Sequence, residues 1–172
     1  MAGRSARLHA GHQDDLRRPQ EPEGSDRPDR LSEGRNGLQT GAIAVRPAPP
    51  DIQARVERLY DANQRRDFEA FRALVHPTLE WPDVTRGGTL TNPEAVREYW
   101  AYNDRGLRVE MAPVKAEIDD EGRIVVLANQ VVWNLAGKLW SDLMVRHRYT
   151  LREGLFWRLE LLEVDRPSRK DP

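Results

Sequence analysis

His147 is the residue whose neighbours best equip it for chemistry. In the stretch "LMVRHRYTL", Val145, Tyr149 and Leu151 share its parity, while Arg146 and Arg148 hold the other. Successive side chains of a strand alternate between faces, so His147 points with the apolar set toward the interior. A half-buried imidazole there can act as general acid, general base or hydrogen-bond donor near neutral pH. It can equally be a core histidine bonded to a backbone carbonyl or to Tyr60. Asp83 is the second candidate. It lies two residues beyond Trp81 and shares its face if the segment stays extended, which would allow an acid–base pair with His147; as a solvated turn aspartate it would have no such role. Trp81, Tyr60, Tyr99, Trp100 and Trp133 are expected to wall a pocket for a flat, apolar, ring-containing ligand, or else to be plain core. His76, at a helix end, reads as structural. His9 and His12 are spaced like a weak metal pair but have no folded support around them, so chance is the better account.

Other chemistries are excluded by what the chain lacks. There is no cysteine, hence no disulfide, thiolate metal site or Cys nucleophile. Neither a Gly-rich phosphate loop, nor G-x-S-x-G, nor His-x-x-x-His, nor a carboxylate cluster with metal spacing occurs, so neither a metal nor a cofactor is expected. With 27 Lys+Arg against 28 Asp+Glu, the chain lacks the basic excess of a nucleic-acid binder. No apolar run approaches the roughly 18 residues of a membrane span, and the N-terminus lacks the apolar core of a secretory signal. The expectation is a cytoplasmic protein with neither nucleic acid nor membrane as partner.

The elements that must position these residues begin after "RPAPP". Asp51 is expected to cap a helix carrying Ile52, Val56, Leu59, Tyr60 and Asn63 at helical spacing. Asp67 caps a shorter one with Phe68, Phe71, Leu74 and Val75, which Pro77 should stop. "TLEWPDV" is extended and Gly87-Gly88 turns. Asn92, Pro93 and Glu94 then start a third helix with Val96, Tyr99 and Trp100 on one face. Beyond Gly106 the period falls to two. Leu107, Val109 and Met111 have one parity and Val114, Ala116 and Ile118 the other, which predicts a bulge or bend near Pro113. Ile124 to Leu135 is apolar on both faces. A strand through Leu139 to Leu151 and a last one from Leu155 to Val164, joined by "REG", close the sheet. The fold class is therefore α+β.

Residues 1–50 contain no Phe, Tyr or Trp and are dense in Arg, Asp, Glu, Gly and Pro, so they are expected to be disordered. Translation beginning near Val45 would remove most of them. The organisation expected is thus a disordered segment 1–50, a domain 51–165 and a short polar tail 166–172.

That element order, with "RRDFEAFRALVHPTLEWPD", "NPEAVREYW" and "YTLREGLFWRLELLEV", resembles the nuclear-transport-factor-2-like (SnoaL-like) superfamily from Ile52 to Val164. The resemblance implies three N-terminal helices packed in the concave face of a strongly bent mixed, mostly antiparallel sheet, a cone-shaped α+β barrel with an apolar pocket at its mouth. It also implies a homodimer through the outer sheet face. The residues agree: Trp140 and Met144 share the parity of Arg146 and Arg148, and Val125, Val131 and Trp133 give that face more apolar area than a wet sheet requires. Two catalytic patterns of the superfamily fail. For ketosteroid isomerases the base position falls at Trp81, between Glu80 and Pro82, where an indole cannot accept a proton from carbon, and the helix-one Tyr falls at Leu59, so two of the three positions are lost and only the third, His147, remains. For limonene epoxide hydrolase, Trp157 and Arg158 match but the acid expected next is Leu159. Arg158 then reads as a partner of Glu160 or Glu117. The resemblance implies a pocket protein for a small apolar molecule. His147 and Asp83 would serve cofactor-free acid–base chemistry on a carbonyl compound, as in SnoaL-like cyclases. The alternative is a non-catalytic binding or dimerisation module with a filled cone.

Overall fold

Local signals and sheet pairing divide the chain at Gly106, helices before and long strands after. A computed structural model describes residues 43–162. The expected disorder of residues 1–42 and the tail at 166–172 lie outside the described residues. The elements are β1 (Val45–Pro47), α1 (Pro50–Arg65), α2 (Phe68–Leu74), β2 (Val75–Pro82), β3 (Thr89–Leu90), α3 (Pro93–Asn103), β4 (Leu107–Asp119), β5 (Ile124–Asn134), β6 (Leu139–Arg152) and β7 (Leu155–Leu162). The strands form an open seven-stranded sheet in the order β1-β4-β5-β6-β7-β2-β3, parallel only between β7 and β2.

The helices follow their periodicity. Val56, Leu59, Tyr60 and Ala62 form the buried stripe of α1. Asp67 accepts from the Ala70 N–H at 3.1 Å and Asn92 from the Ala95 N–H at 2.8 Å, the two expected caps. Asp51 is not a cap. The helix starts one residue earlier at Pro50, the Pro49 carbonyl accepts from the Gln53 N–H at 3.0 Å, and Asp51 faces the helix dipole from the first turn. Nor does Pro77 stop α2. The helix ends at Leu74 and Val75 is already extended, because β2 pairs with β7 from Val75 onward; Pro77 sits where that ladder is irregular and no N–H is required of it. The expected disorder also reached too far. Val45–Pro47 pairs with Glu117–Asp119, so backbone hydrogen bonding, to which aromatic content is no guide, holds these residues before Asp51 in the sheet.

In the sheet, the register of β4 shifts between Pro113 and Lys115, leaving Val114 exposed and returning Ala116 and Ile118 to the face of Leu107, Val109 and Met111. Toward the outer face, Arg148 makes a bidentate pair with Glu160 at 2.9 and 2.8 Å. Arg158 pairs with Glu80 on neighbouring β2, at 2.8 and 2.6 Å, rather than with Glu160 or Glu117. The core lies between helices and sheet. At its centre the Phe71 ring meets Trp81 and Trp100 edge-on at 5.3 and 5.0 Å. Before it reaches β1, the free edge of β4 is met by the side-chain amide of Gln64, which accepts from the Met111 N–H at 3.0 Å and donates to the Val109 carbonyl at 3.5 Å.

The reassigned cap is measurable. Asp67→Ala should cost about 1 kcal/mol of stability in urea unfolding, and Asp51→Ala only a few tenths. Equal losses would restore Asp51 as a cap.

Candidate functional site

The helices cover the sheet unevenly. Toward the Asp119–Ile124 turn the inner face is sealed, with Ile118, Ile124, Val126 and Ala128 buried; toward the other end Met111, Gln130, Val132 and Val145 are only partly covered. There a cavity of about 1120 Å³ opens between α1, α3 and the inner face of β4, β5 and β6. It lies just above the ordinary range for small-molecule sites because it runs out to a rim with exposed Val84, Leu143 and Leu161. Trp81, Tyr60, Tyr99 and Trp100 line it, and the aromatic rings wall the space rather than fill it.

His147 lies on the wall with 6 % of its surface exposed. Its inward orientation follows from the register, in which His147 stands opposite Val126 and Tyr149 opposite Ile124. Its Nδ1 lies 2.8 Å from the Tyr60 hydroxyl and 3.4 Å from that of Tyr149, and the Tyr149 hydroxyl donates to Tyr60 at 3.3 Å. The sequence offered both a pocket residue and a histidine bonded to Tyr60; the structure realises both. Burial lowers the His147 pKa from 6.5 to about 4, so the imidazole is neutral at neutral pH. Burial pushes both tyrosine hydroxyls well above their usual range, so they stay protonated. Tyr149 was legible only as an inward-facing neighbour, and nothing in the sequence marked it as part of this network. Close by, Trp81 carries a buried indole N–H with no hydrogen-bond partner among the described residues, its ring 6.0 Å from that of Tyr149.

Asp83 is not brought to His147. The strand ends at Pro82, and the Asp83 carboxylate turns back on its own loop, accepting from the N–H groups of Thr85 and Arg86 at 3.2 and 2.8 Å and from Arg86 Nε at 2.8 Å. Burial alone would raise its pKa, but the Arg86 backbone and guanidinium outweigh burial and hold it below the usual carboxylate range. Asp83 is a loop staple off the cavity wall. Trp133 is not a pocket wall either: Val132 takes the inner position, and Trp133 turns outward beneath the Arg108 guanidinium, 4.4 Å from its ring centre. His76 is bound to Glu153 at 3.0 Å and to the Thr78 N–H at 3.1 Å, as a structural histidine should be. Among the described residues no group of three or more His, Asp or Glu side chains is placed to hold a metal ion, and no helix is long and apolar enough to cross a membrane.

The folded imidazole resists protonation down to about pH 4, whereas the unfolded chain's takes a proton near 6.5. The stability this gives is therefore fully present above pH 6.5 and is lost as pH falls toward 4, on the order of 3 kcal/mol. In urea unfolding, His147→Phe should flatten the wild-type decline between pH 6.5 and 5, above the range in which carboxylates such as Asp83 protonate. Parallel pH profiles for the two proteins would refute the assignment.

Comparison with known proteins places the chain in a family. Residues 56–159 match the family model described as a SnoaL-like domain. TerC, co-crystallised with polyporic acid, is 26 % identical over 66 % of this chain and 91 % of its own, with a TM-score of 0.57. An NTF2-like protein of unknown function from Burkholderia pseudomallei is 23 % identical over 64 % of this chain and 88 % of its own, with a TM-score of 0.55. A putative polyketide cyclase from Pseudomonas putida is 17 % identical over 64 % of this chain and 90 % of its own, with a TM-score of 0.53. No curated protein matches the chain significantly. The chain belongs to the SnoaL-like domain family.

Proposed function

We propose that this SnoaL-like domain binds an apolar, ring-containing small molecule in the cone, with His147 as its polar anchor. The observation that carries the proposal is the open cavity itself, walled by Trp81, Tyr99 and Trp100 with a buried imidazole on one side. Aromatic and aliphatic walls with few polar groups are the ordinary composition of such sites. The related TerC, crystallised with polyporic acid, supports a small-molecule role. A module whose cone is filled by its own side chains is not favoured, because the space is there. If the ligand is turned over, the chemistry is cofactor-free and falls to His147. With a pKa of about 4 the neutral ring is a weak base at neutral pH, which suits polarising a carbonyl better than removing a proton from carbon. Asp83, committed to its loop, has no part in this. A bulky residue on the cavity wall should abolish binding without unfolding the protein. Val145→Trp should eliminate the fluorescence of bound 1-anilinonaphthalene-8-sulfonate while leaving the free energy of urea unfolding within about 1 kcal/mol of wild type. Undiminished probe binding in that variant would reject the cavity as the site.

We also propose that two copies pair through the outer sheet face. Trp140 at 61 % exposure and Met144 at 37 % support this, as do Val131 and Trp133, which lie on the face of β5 turned away from the helices. Sedimentation should find a dimer for the wild type and a monomer for Trp140→Glu. A monomeric wild type at micromolar concentration would end the proposal.

A further inference from the structure

We infer that the two tyrosines behind His147 determine which of its nitrogens carries the proton, and so shape the cavity for a ligand oxygen that accepts a hydrogen bond, as in a ketone, enolate or phenolate. The inference rests on the ligand-binding proposal above and specifies its chemistry. Three buried polar groups lie within reach of one another: the Tyr149 hydroxyl, the Tyr60 hydroxyl and His147 Nδ1. The Tyr149 residue is 3 % exposed, and its hydroxyl meets only the other two among the described residues. If Nδ1 were protonated it would donate to Tyr60. The Tyr60 hydrogen would then turn toward Tyr149, leaving the Tyr149 hydrogen buried without an acceptor, or turn away from both partners. The opposite order places every hydrogen. Tyr149 donates to Tyr60, Tyr60 donates to Nδ1, and the ring hydrogen sits on Nε2.

His147 Nε2 has no partner among the described residues, and it is not among the fully enclosed polar atoms that lack one; on a cavity-lining residue it is the atom offered to the cavity. A donor set in apolar walls, its tautomer held by groups that are themselves buried, favours an acceptor oxygen and disfavours an otherwise equal ligand without one. Chains of this kind also polarise along their length, so the donor strengthens as charge builds on the oxygen it meets. Tyr60 is here a positioning residue: it need not touch the ligand to decide what the ligand must carry.

Two measurements test the inference. Long-range proton–nitrogen NMR on the full chain should show His147 with Nε2 protonated and Nδ1 bare, and Tyr60→Phe should shift the ring toward a mixture of tautomers. A His147 carrying its proton on Nδ1 in the wild type overturns the inference. The matched tricyclic probes 9-fluorenone and fluorene differ by one carbonyl. Titration should find the ketone bound about tenfold more tightly, the value of one hydrogen bond. The preference should vanish in His147→Phe and shrink in Tyr60→Phe while fluorene affinity holds. Equal binding of both probes by the wild type overturns the donor role and leaves the cavity proposal standing, whereas binding of neither overturns both.

Discussion

A helix and a strand of similar residue count are not of similar length, and the site depends on that difference. The 16 residues of α1 span about 24 Å, whereas the 14 of β6 reach about 46 Å. Short helices laid on one end of a long curved sheet cannot cover it. Burial along the inner face records the shortfall, complete at Ile118, Ile124 and Val126 and partial at Met111, Gln130 and Val132. An apolar face that is folded yet uncovered becomes a concave surface. In this molecule the cavity follows from the lengths of the elements before any particular side chain is considered.

His147 stands where coverage gives out. Farther in, it would be a sealed core residue; nearer the rim, water would hold its pKa close to the ordinary value. At the boundary it is desolvated enough to stay neutral, with one nitrogen facing the tyrosines and the other unpartnered among the described residues. Tyr60 reaches it from the helix layer and Tyr149 from the same strand, so the network also ties α1 to β6 across the core. Arg66 makes a comparable tie at the far end of α1. Its left-handed backbone ends the helix, and its side chain grips Asp104 at 3.1 and 2.8 Å while lying over Trp100.

Period-two alternation was enough to read the strands, the bulge after Pro113 and the inward face of His147, because side-chain direction in a strand is a local property. Asp67 and Asn92 were readable for the same reason, since a cap is satisfied within three residues. Where the outcome hung on something distant, the sequence misled. The direction of Asp83 depends on where the strand ends, which pairing decides. Trp133 obeys its parity, but an aromatic on a strand apolar on both faces does not announce which face is the interior. Val45–Pro47 is ordered by a partner seventy or more residues away in the chain. Open cavity and packed core share one apolar pattern. Spacing tells which way a side chain faces, and only the assembled layers tell whether anything meets it.

Gln64 bears on how the chain behaves among its own copies. An unpaired strand edge is a template onto which another strand can be laid, and β4 would offer one along Val109 and Met111. By occupying that N–H and that carbonyl with a side-chain amide, α1 does the work of an eighth strand without ending in a further edge. Growth of the sheet by strand addition, the first step toward fibrillar aggregation, is thereby blunted on this side by a single glutamine.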